Sequence, residues 1–390
     1  MSIKKKVELS LPKDYKNKKF ILFIICPQKG NSIGGSDAHV LDLSCDLLKH
    51  SEYTPLVLFP HNERYRDRLK ENDIPYIFTH GCRRKIQIVR CIKKMPKQIN
   101  IVCIHSHQYD ANYLTQELIM FGGKTWKNIP VVMTCHGWIE NSLKLRIMTY
   151  FDFKSYKYSN TLIAVSKKDE KRLLMKIPSK TIRYIPNGVR ERIKYSSEQI
   201  KNIKKKYGIG EDKIVVSYIG RLSPEKRIDL VIEAANKVCK KNNKIDFLIA
   251  GNGSDLTKMN RLIEKYKLSN NVHYVGFVKE IDEIESITDI ILITSDTEGT
   301  PRALIETMQY GAIPVCTNVG GINDILGDNI GFKCLPNNVE SISNGILKAT
   351  ALDDKSKKQM RNSITKLAKD EFSIRKMSEK IIEVYKEIEG

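Results

Sequence analysis

Residues 290–317, IILITSDTEGTPRALIETMQYGAIPVCT, contain a strand, a loop, a helix and a second strand in succession. The two apolar runs, 290–294 and 313–317, are short and rich in β-branched residues, which is typical of strands buried on both faces of a parallel sheet. Residues 301–309 between them form a helical pattern, and Pro301 suits the first helical position. This order predicts two parallel strands joined by a helix.

The same alternation of short apolar runs and longer amphipathic stretches continues outward and covers almost the whole chain. Helical patterns separate the runs, which indicates helices on both faces of each sheet. The fold class is therefore α/β, with two doubly wound parallel sheets. The strands are predicted at residues 20–26, 55–59, 101–104, 131–135 and 161–165 in a first series, and at 214–219, 245–250, 272–275, 290–294 and 313–317 in a second.

The segment Ile-Pro-Asn-Gly at residues 185–188 separates the two series. Proline restricts the residue before it and Asn-Gly readily forms a turn, so we predict a domain boundary here. The first domain then spans residues 1–187 and the second spans residues 188–370. Residues 371–390 form an additional amphipathic helix.

Composition excludes several classes of protein. The formal net charge is +21, and residues 1–200 carry 36 basic and 18 acidic side chains, whereas residues 201–390 carry 30 and 27. No apolar run approaches the roughly 20 residues of a transmembrane helix. The nine cysteines are scattered, without a C-x-x-C pair, and this favours reduced thiols in a cytoplasmic protein over secretion or a zinc ribbon.

Two glutamates eight residues apart flank the turn between a strand and a helix in the quoted segment. Glu298 falls in the loop and Glu306 falls on the helix, with Gly299, Thr300 and Pro301 at the turn. A helix N-terminus is suited to a phosphate or another anion. Carboxylates accept hydrogen bonds from hydroxyls, so sugar or ribose hydroxyls are natural partners of both glutamates.

The sequence GRLSPEK at residues 220–226 directly follows the strand predicted at 214–219. Ligands of open parallel sheets bind beyond the carboxyl ends of the strands. Arg221 and Lys226 are therefore expected to place two cations in the same crevice as the helix that begins at Pro301. Two cations facing a helix N-terminus suit a pyrophosphate.

This combination resembles the retaining glycosyltransferases of glycosyltransferase family 4. Asn252, Thr307, Gln309, Asn323 and Asp324 depart from the family pattern, and none of these changes removes an expected charged group. The resemblance spans about residues 20–330. Further matching segments are Gly-Gly-Ser at 34–36, Thr-Cys-His-Gly at 134–137, Val-Ser at 165–166, Ile-Pro-Asn-Gly at 185–188, Ala-Gly-Asn-Gly at 250–253 and Val-Gly-Phe-Val at 275–278.

The resemblance implies the GT-B fold, in which two Rossmann-like doubly wound domains face each other across a cleft. Residues 1–187 would bind the acceptor and residues 188–370 would bind the nucleotide-sugar donor. The helix at 371–390 would cross back to the N-terminal domain.

The resemblance also implies roles for individual residues. Glu298 would contact the donor sugar and Glu306 the ribose, while Arg221 and Lys226 would neutralise the leaving diphosphate. His136 would line the catalytic cleft, and together with Arg221, Lys226 and Glu298 it makes up the predicted catalytic set. The remaining donor-binding candidates are Gly34, Gly35, Val278, Gly299, Thr300, Pro301 and Leu304.

No metal and no other cofactor is expected. The sequence has no Asp-x-Asp motif, and the cations of Arg221 and Lys226 can replace a metal. His105 and His107 lie two apart at a strand end, but two histidines without a third ligand make a poor metal site. We therefore predict that His107 lines the cleft or contacts the acceptor.

The implied reaction moves a hexosyl or N-acetylhexosaminyl unit from a nucleotide-diphospho-sugar to a hydroxyl, with retention of anomeric configuration. A UDP-sugar is the favoured donor and GDP-mannose the second. The expected acceptor is a saccharide or a polyprenyl-linked saccharide in cell-surface polysaccharide synthesis. Two alternatives remain open, namely a GT-B-fold sugar-nucleotide 2-epimerase and a catalytically silent glycosyltransferase-like partner subunit.

The basic first half predicts an anionic membrane surface as a partner, with the protein peripheral at the inner face of the cell membrane. Apolar residues alternate with the second of two basic clusters on a predicted helix, which is typical of a membrane-surface element. No motif for nucleic acid binding is present, so no nucleic acid partner is expected. The clusters are Arg64, Arg66, Arg68 and Lys70, and then Arg83, Arg84, Lys85, Arg90, Lys93, Lys94 and Lys97.

Overall fold

The computed structural model describes residues 7–27, 34–79, 82, 84–138, 140, 142–327 and 330–390. The chain divides into two compact units. The first comprises Met1–Gly188 together with Ile374–Gly390, and the second comprises Val189–Ser373. The break between them lies directly after the Ile-Pro-Asn-Gly segment at 185–188.

The first unit contains an eight-stranded sheet. Its strands are β1 (Val7–Ser10), β2 (Lys19–Ile24), β3 (Tyr53–Pro60), β4 (Tyr76–Thr79), β5 (Ile101–His107), β6 (Val131–Cys135), β7 (Thr161–Ala164) and β8 (Thr181–Tyr184). They lie in the order β1-β4-β3-β2-β5-β6-β7-β8, and only the pairing of β1 with β4 is antiparallel. The helices between these strands are α1 (Gly35–His50), α2 (Glu63–Glu71), α3 (Lys85–Ile92), α4 (Gln108–Phe121), α5 (Lys124–Lys127), α6 (Leu143–Ser155) and α7 (Lys167–Lys176).

Alternate residues of β2 face opposite sides of this sheet, as the strand period of two requires. Phe20 and Leu22 pack in one core with the buried residues of α3 and α4. Ile21 and Phe23 pack in a second core with α1 and α2. The sheet is therefore covered on both faces, which explains why its strands are continuous apolar runs.

The second unit contains a parallel six-stranded sheet in the order β11-β10-β9-β12-β13-β14. Its strands are β9 (Ile214–Ile219), β10 (Ile245–Ala250), β11 (Val272–Gly276), β12 (Ile290–Ile293), β13 (Ile313–Thr317) and β14 (Phe332–Cys334). Its helices are α8 (Ser197–Lys206), α9 (Ile228–Lys241), α10 (Leu256–Lys265), α11 (Ile281–Ser286), α12 (Arg302–Met308), α13 (Ile322–Leu326), α14 (Val339–Thr350) and α15 (Asp354–Glu371).

The C-terminal helix α16 (Ile374–Glu389) belongs to the first unit. Met377 and Ile381 of this helix are buried in the same core as α1. Tyr385 shares a hydrogen bond with His105 of β5 at 2.6 Å. The last helix therefore completes the side of the first sheet that α1 and α2 cover.

The strand order reverses direction once in each sheet, beside β2 and β5 in the first and beside β9 and β12 in the second. Such topological switch points create crevices at the carboxyl ends of the strands, where ligands of doubly wound sheets bind. The sequence prediction of two doubly wound α/β domains is confirmed. Within the described ranges, no helix is both long and apolar enough to cross a membrane.

All ten predicted strands are present, whereas β1, β4, β8 and β14 were not predicted. These four have only three or four residues each, so they carry little periodicity. One helix start differs from the prediction, because α12 begins at Arg302 and Pro301 is the residue before its first turn, with extended backbone.

Candidate functional site

The switch point of the second unit is lined by two loops that meet closely. One follows β9 and the other follows β12, and the backbone N–H of Asp296 donates a hydrogen bond to the carbonyl of Glu225 at 2.8 Å. A Cβ on Gly251 would lie 1.8 Å from the carbonyl oxygen of Gly220. A Cβ on Gly320, whose φ is +52°, would lie 1.8 Å from the carbonyl oxygen of Glu298. Only glycine allows these backbones to approach so closely.

Lys226 and Glu298 form an ion pair at this switch point. The Lys226 Nζ lies 2.6 Å from Glu298 Oε1, and Ser295 Oγ donates to the same oxygen at 2.6 Å. Thr294 Oγ1 donates to the carbonyl of Lys226 at 2.9 Å and so helps to hold the first loop against the second. The structure thus brings together two residues of the predicted catalytic set that are 72 positions apart. The pair offers a fixed ammonium to an anion and a carboxylate to a hydroxyl.

Arg221 lies on the same loop as Lys226 but has a different partner. Its guanidinium is 3.4 Å from Glu225 Oε1, an oxygen that also accepts a 2.6 Å hydrogen bond from Ser223. The side chain is 44% exposed. An anion at this edge can therefore recruit the guanidinium without having to displace a buried ion pair.

Glu306 lies in a second charged cluster rather than beside Glu298. Its Oε1 is 2.6 Å from Arg192 Nη2 and 2.9 Å from Arg302 Nη2. Arg192 also lies 3.3 Å from the fully buried Glu285. Burial raises the pKa of the Glu285 carboxyl well above its ordinary value, and the nearby charge of Glu306 raises it further.

Sequence reasoning missed Arg192, Arg302 and Glu285. Arg302 is four residues before Glu306 on a helix, a spacing at which oppositely charged side chains meet. This pair could therefore have been predicted from the sequence. Arg192 lies more than a hundred positions before Glu306, and no local pattern links the two.

The other predicted donor-binding residues lie around the loop after β12 and at the end of β11. Leu304 is completely buried, so the structure gives it no surface that a ligand could contact. Thr300 is also buried. Val278 is half-buried and packs against the core that includes α11. Helix α12 has seven residues and is shorter than the helix predicted at 301–309.

Histidines meet at the switch point of the first unit. His107 ends β5, His136 follows β6 and His39 lies on α1. His107 Nδ1 and His136 Nε2 share a hydrogen bond of 3.0 Å, and His39 Nδ1 shares one of 2.9 Å with Asn187 Oδ1. The predicted site residues His107 and His136 are thus adjacent, and His39, which was not predicted, joins them.

Burial keeps His107 of this cluster, and His105 beside it, uncharged. It lowers the pKa of His105 to about 3. Burial, followed by the neighbouring imidazoles, lowers the pKa of His107 well below its usual value. A neutral imidazole can donate one hydrogen bond and accept one, which suits sugar hydroxyls better than phosphates.

Gly34 and Gly35 lie at the start of α1, beside the same switch point, and both are exposed. The backbone N–H of Gly34 donates to Asp37 Oδ2 at 2.9 Å. Burial raises the pKa of Asp37 to about 6, although that hydrogen bond acts in the opposite direction. The first turn of α1 therefore carries an acid that titrates near neutral pH.

His39, His107 and His136 form the one group in the described part of the chain that could hold a metal ion, with ligating atoms all within 4.8 Å of one another. The premise that no third ligand lies near His107 is therefore wrong. The group contains no carboxylate, and the bond between His107 and His136 already satisfies two of its nitrogens without an ion. The absence of a metal requirement stays a prediction.

The two basic clusters differ from the predicted membrane element. Arg66 and Lys70 of α2 pair with Glu8, at 3.5 Å and 3.1 Å, so the first cluster is largely neutralised. On α3, Ile88 and Val89 are buried in the core of the first unit, so this helix has no apolar face to offer a membrane. Arg83 lies outside the described residues.

Two family descriptions match the chain. "Glycosyltransferase Family 4" matches residues 33–192, and "Glycosyl transferases group 1" matches residues 199–370. The first range covers the whole histidine cluster, and the second covers the Lys226–Glu298 pair.

Similar proteins cover nearly the same length. The phosphatidylinositol N-acetylglucosaminyltransferase GPI3 subunit of Saccharomyces cerevisiae is 22% identical over 95% of this chain and 83% of its own. The UDP-Gal:alpha-D-GlcNAc-diphosphoundecaprenol alpha-1,3-galactosyltransferase of Escherichia coli is 26% identical over 81% of this chain and 84% of its own.

Solved structures show the same fold. Anabaena Alr3699/HepE in complex with UDP and glucose superposes with a TM-score of 0.82 at 17% identity, over 95% of this chain and 100% of that one. A glycosyltransferase from Rickettsia africae has a TM-score of 0.76 at 22% identity, over 95% and 99%. The protein therefore belongs to glycosyltransferase family 4 and is a glycosyltransferase with the GT-B fold.

Proposed function

We propose that this enzyme transfers a hexosyl or N-acetylhexosaminyl unit from a nucleotide-diphospho-sugar, with a UDP-sugar favoured over GDP-mannose, and retains its anomeric configuration. The observation that carries this proposal is the Lys226–Glu298 ion pair at the switch point of the second unit. A diphosphate needs fixed positive charge, and a sugar needs hydrogen-bond acceptors. This pair supplies both at one place.

The second unit has a separate group for each part of the donor. Lys226 and Arg221 neutralise the diphosphate, and Glu298 accepts a hydrogen bond from a sugar hydroxyl. Glu306, oriented by Arg192 and Arg302, accepts from the ribose. Preplaced charges of this kind stabilise the negative charge that develops on a leaving group, which is often a large part of catalysis.

The reaction breaks the bond between the anomeric carbon and the diphosphate oxygen. The acceptor oxygen forms its new bond on the same face of the sugar, and its proton passes to the departing phosphate oxygen. Lys226 and Arg221 hold the diphosphate while it gains charge. We propose that no divalent metal takes part, because two cationic side chains already occupy that role.

The acceptor is a saccharide or a polyprenyl-linked saccharide, bound by the first unit. The neutral imidazole of His107, which shares a hydrogen bond with His136, suits hydroxyl groups. The Escherichia coli relative is named for a GlcNAc-diphosphoundecaprenol acceptor, which supports a lipid-linked substrate. Such an acceptor favours a peripheral position at the inner face of the cell membrane, in cell-surface polysaccharide synthesis.

A product assay tests this proposal. The enzyme is incubated with UDP-galactose, UDP-glucose, UDP-N-acetylglucosamine or GDP-mannose and a GlcNAc-diphospholipid, and the product is analysed by mass spectrometry and NMR. We expect one donor to give a product with an α linkage, and Lys226→Gln to form that product far more slowly. A C2-inverted sugar formed without acceptor would show an epimerase, and no turnover together with no nucleotide binding would show a silent partner subunit.

A further inference from the structure

Helix α6 packs with its polar side inward. Thr149, Asp152 and Ser155 are buried, although each is polar. Four large apolar side chains of the same helix are exposed, whereas Phe153 packs against the core of the first unit. The exposed four are Leu143, 75% exposed, Ile147, 48% exposed, Tyr150, 56% exposed, and Phe151, 44% exposed. A helix that packs only to stabilise its own domain has the opposite distribution.

The hydrogen bonds of Asp152 fix the helix in this orientation. Its carboxylate accepts from Asn112 Nδ2 at 2.8 Å, Trp138 Nε1 at 3.1 Å and the Tyr156 hydroxyl at 2.5 Å. A buried carboxylate left without these donors would be costly. The helix therefore cannot rotate to bury Leu143 and Ile147 without breaking the network.

Basic side chains surround the exposed apolar ones. Lys144, Arg146 and Lys154 of α6 are exposed, and none of them pairs with a carboxylate among the residues that the structure describes. Lys154 Nζ lies 4.7 Å from the centre of the Tyr150 ring. We call Leu143, Lys144, Arg146, Ile147, Tyr150, Phe151 and Lys154 together the α6 face.

The second basic cluster continues this surface. Phe151 packs against Tyr113 of α4 with ring centroids 6.3 Å apart, and Lys85 of α3 lies 4.8 Å from the centre of the Tyr113 ring. Helices α3 and α4 pack on the same side of the sheet. Further exposed cations of this cluster, without acidic partners in the described ranges, are Arg90, Lys93, Lys94 and Lys97.

We propose that the α6 face docks the first unit on a lipid bilayer that contains anionic headgroups. Exposed leucine, isoleucine and aromatic side chains enter the boundary between headgroups and acyl chains, and flanking lysines and arginines bind the headgroups. A second copy of the chain fits poorly, because two such faces would bring like charges together. The inference rests on the proposed function in one respect, since a lipid-linked acceptor explains why the enzyme needs a membrane.

The charge of α3 alone does not provide this surface. Its apolar residues are buried, so α3 contributes attraction over a distance but no insertion. The α6 face supplies the apolar side chains that the sequence prediction had assigned to α3. In this proposal α6 enters the lipid, whereas the sequence predicted that α3 would do so.

Vesicle flotation tests the proposal. Wild type, the double variant Leu143→Asp/Ile147→Asp and the control Leu335→Asp are mixed with vesicles of phosphatidylglycerol and phosphatidylcholine or of phosphatidylcholine alone. Leu335 is 63% exposed and belongs to the second unit, so it matches the size and exposure of the substituted residues. We expect wild type and control to bind anionic vesicles, and the double variant to bind more weakly by on the order of tenfold or more.

The charged part of the face has its own variant. Lys144→Gln/Lys154→Gln is expected to weaken binding to anionic vesicles, with a smaller dependence on salt than wild type shows. Binding of wild type that is negligible, or equal for all variants, would overturn the proposal. A wild-type oligomer in solution that the aspartates dissociate, without vesicle binding, would assign the face to a second copy instead.

The same preparations are tested for stabilisation by UDP, GDP and ADP, which separates this inference from the enzymatic proposal. The double variant should keep the nucleotide response of wild type, because α6 belongs to the first unit. Vesicle binding that depends on Leu143 and Ile147 in a protein that no nucleotide stabilises would support the face and contradict the proposed donor chemistry.

Discussion

The two units have the same kind of sheet, but the side chains at their switch points differ in charge. The second unit places Lys226, Glu298 and Arg221 at this edge, with Glu306 in a charged cluster on the helix that follows. The first unit places histidines there, and burial holds the pKa values of His105 and His107 low enough to keep both neutral. Charged groups suit a diphosphate, whereas neutral imidazoles suit hydroxyls.

Topology therefore locates a site, and the side chains that follow the strands determine its chemistry. Both crevices arise where the strand order reverses, between β2 and β5 and between β9 and β12. We call the crevice of the second unit, with Lys226 and Glu298, the charged edge, and the crevice of the first unit, with His105 and His107, the neutral edge. Experiments can test this division.

The largest effect is expected at the charged edge. Lys226→Gln keeps a hydrogen-bond donor near Glu298 but removes the positive charge. We expect kcat to fall on the order of 10²–10³-fold, as when a group that stabilises developing charge is removed. Steady-state kinetics with the preferred donor measure this change.

Lys258→Gln is the matched control for this experiment. Lys258 pairs with Asp229 at 3.1 Å on the surface of the same unit, and its side chain is 50% exposed. Its substitution should leave kcat within about twofold of wild type, because an exposed pair contributes little. Equal losses in both variants would mean that Lys226 acts only through stability.

The next largest effect concerns the buried charges around Glu306. Arg192→Met removes the guanidinium that contacts both Glu285 and Glu306. Arg302 still pairs with Glu306, and the raised pKa of Glu285 favours its neutral form, so we expect a loss of stability of about 1–3 kcal/mol. This corresponds to a fall in melting temperature of roughly 2–12 °C. Arg183→Met, which removes a half-exposed pair with Glu387, is the control and should change the melting temperature only slightly.

A third effect concerns the neutral edge and depends on pH. A buried histidine with a lowered pKa stabilises the folded state above its unfolded pKa of about 6.5 and loses that contribution as the pH falls toward its folded pKa. For His105, with a folded pKa of about 3, going from pH 7 to pH 5 should cost about 2 kcal/mol. His107 should add to this loss, because its pKa is lowered as well.

The titration of Asp37 changes the stability in the opposite direction, so its effect must be separated from that of His105. Its raised pKa, about 6, means that its burial costs stability as the pH rises through that value, and acidification relieves the cost. We therefore compare melting temperatures at pH 7 and pH 5 in Asp37→Asn and in Asp37→Asn/His105→Asn. The second protein should lose less stability on acidification, and an equal loss in both would show that His105 is not the titrating group.

The smallest effect is expected from removing metal. Lys226 and Arg221 provide the positive charge that the reaction needs, so no metal ion is required at the neutral edge. Treatment with a chelator should therefore change kcat by less than about twofold. Elemental analysis before and after treatment checks the metal content. Stoichiometric metal that disappears in His39→Asn, together with a loss of activity on chelation, would contradict a neutral first edge.

The fold could be predicted because its central strands are buried on both faces. The bounds of β9, β10 and β13 agree with the sequence prediction, since each is a continuous apolar run. Strand β8 (Thr181–Tyr184) could not be predicted in this way, because its four residues alternate between exposed and partly buried positions.

The site could be predicted only in part. Lys226 and Glu298 follow neighbouring strands, so a general rule about strand ends places them together. Arg192 reaches Glu306 from a distant part of the chain, and His39 reaches His107 from a helix, and neither contact leaves a local pattern.

Helix α6 shows a further reason. Its exposed apolar residues would be expected to face the core, but the buried hydrogen bonds of Asp152 hold the helix in another orientation. The hydrogen bonds of a buried polar group therefore determine which side of this helix faces the core, and sequence periodicity does not reveal them.

The most direct test of the charged edge compares the melting temperatures of wild type and Lys226→Gln with UDP, GDP and ADP. A nucleotide at about 100 times its dissociation constant adds about 2.7 kcal/mol, which corresponds to roughly 5–10 °C for a domain of this size. We predict such a shift for wild type with one nucleotide, UDP first, and a much smaller shift for Lys226→Gln at the same concentration. No shift with any nucleotide, or equal shifts for both proteins, would contradict the assignment of this edge to the donor diphosphate.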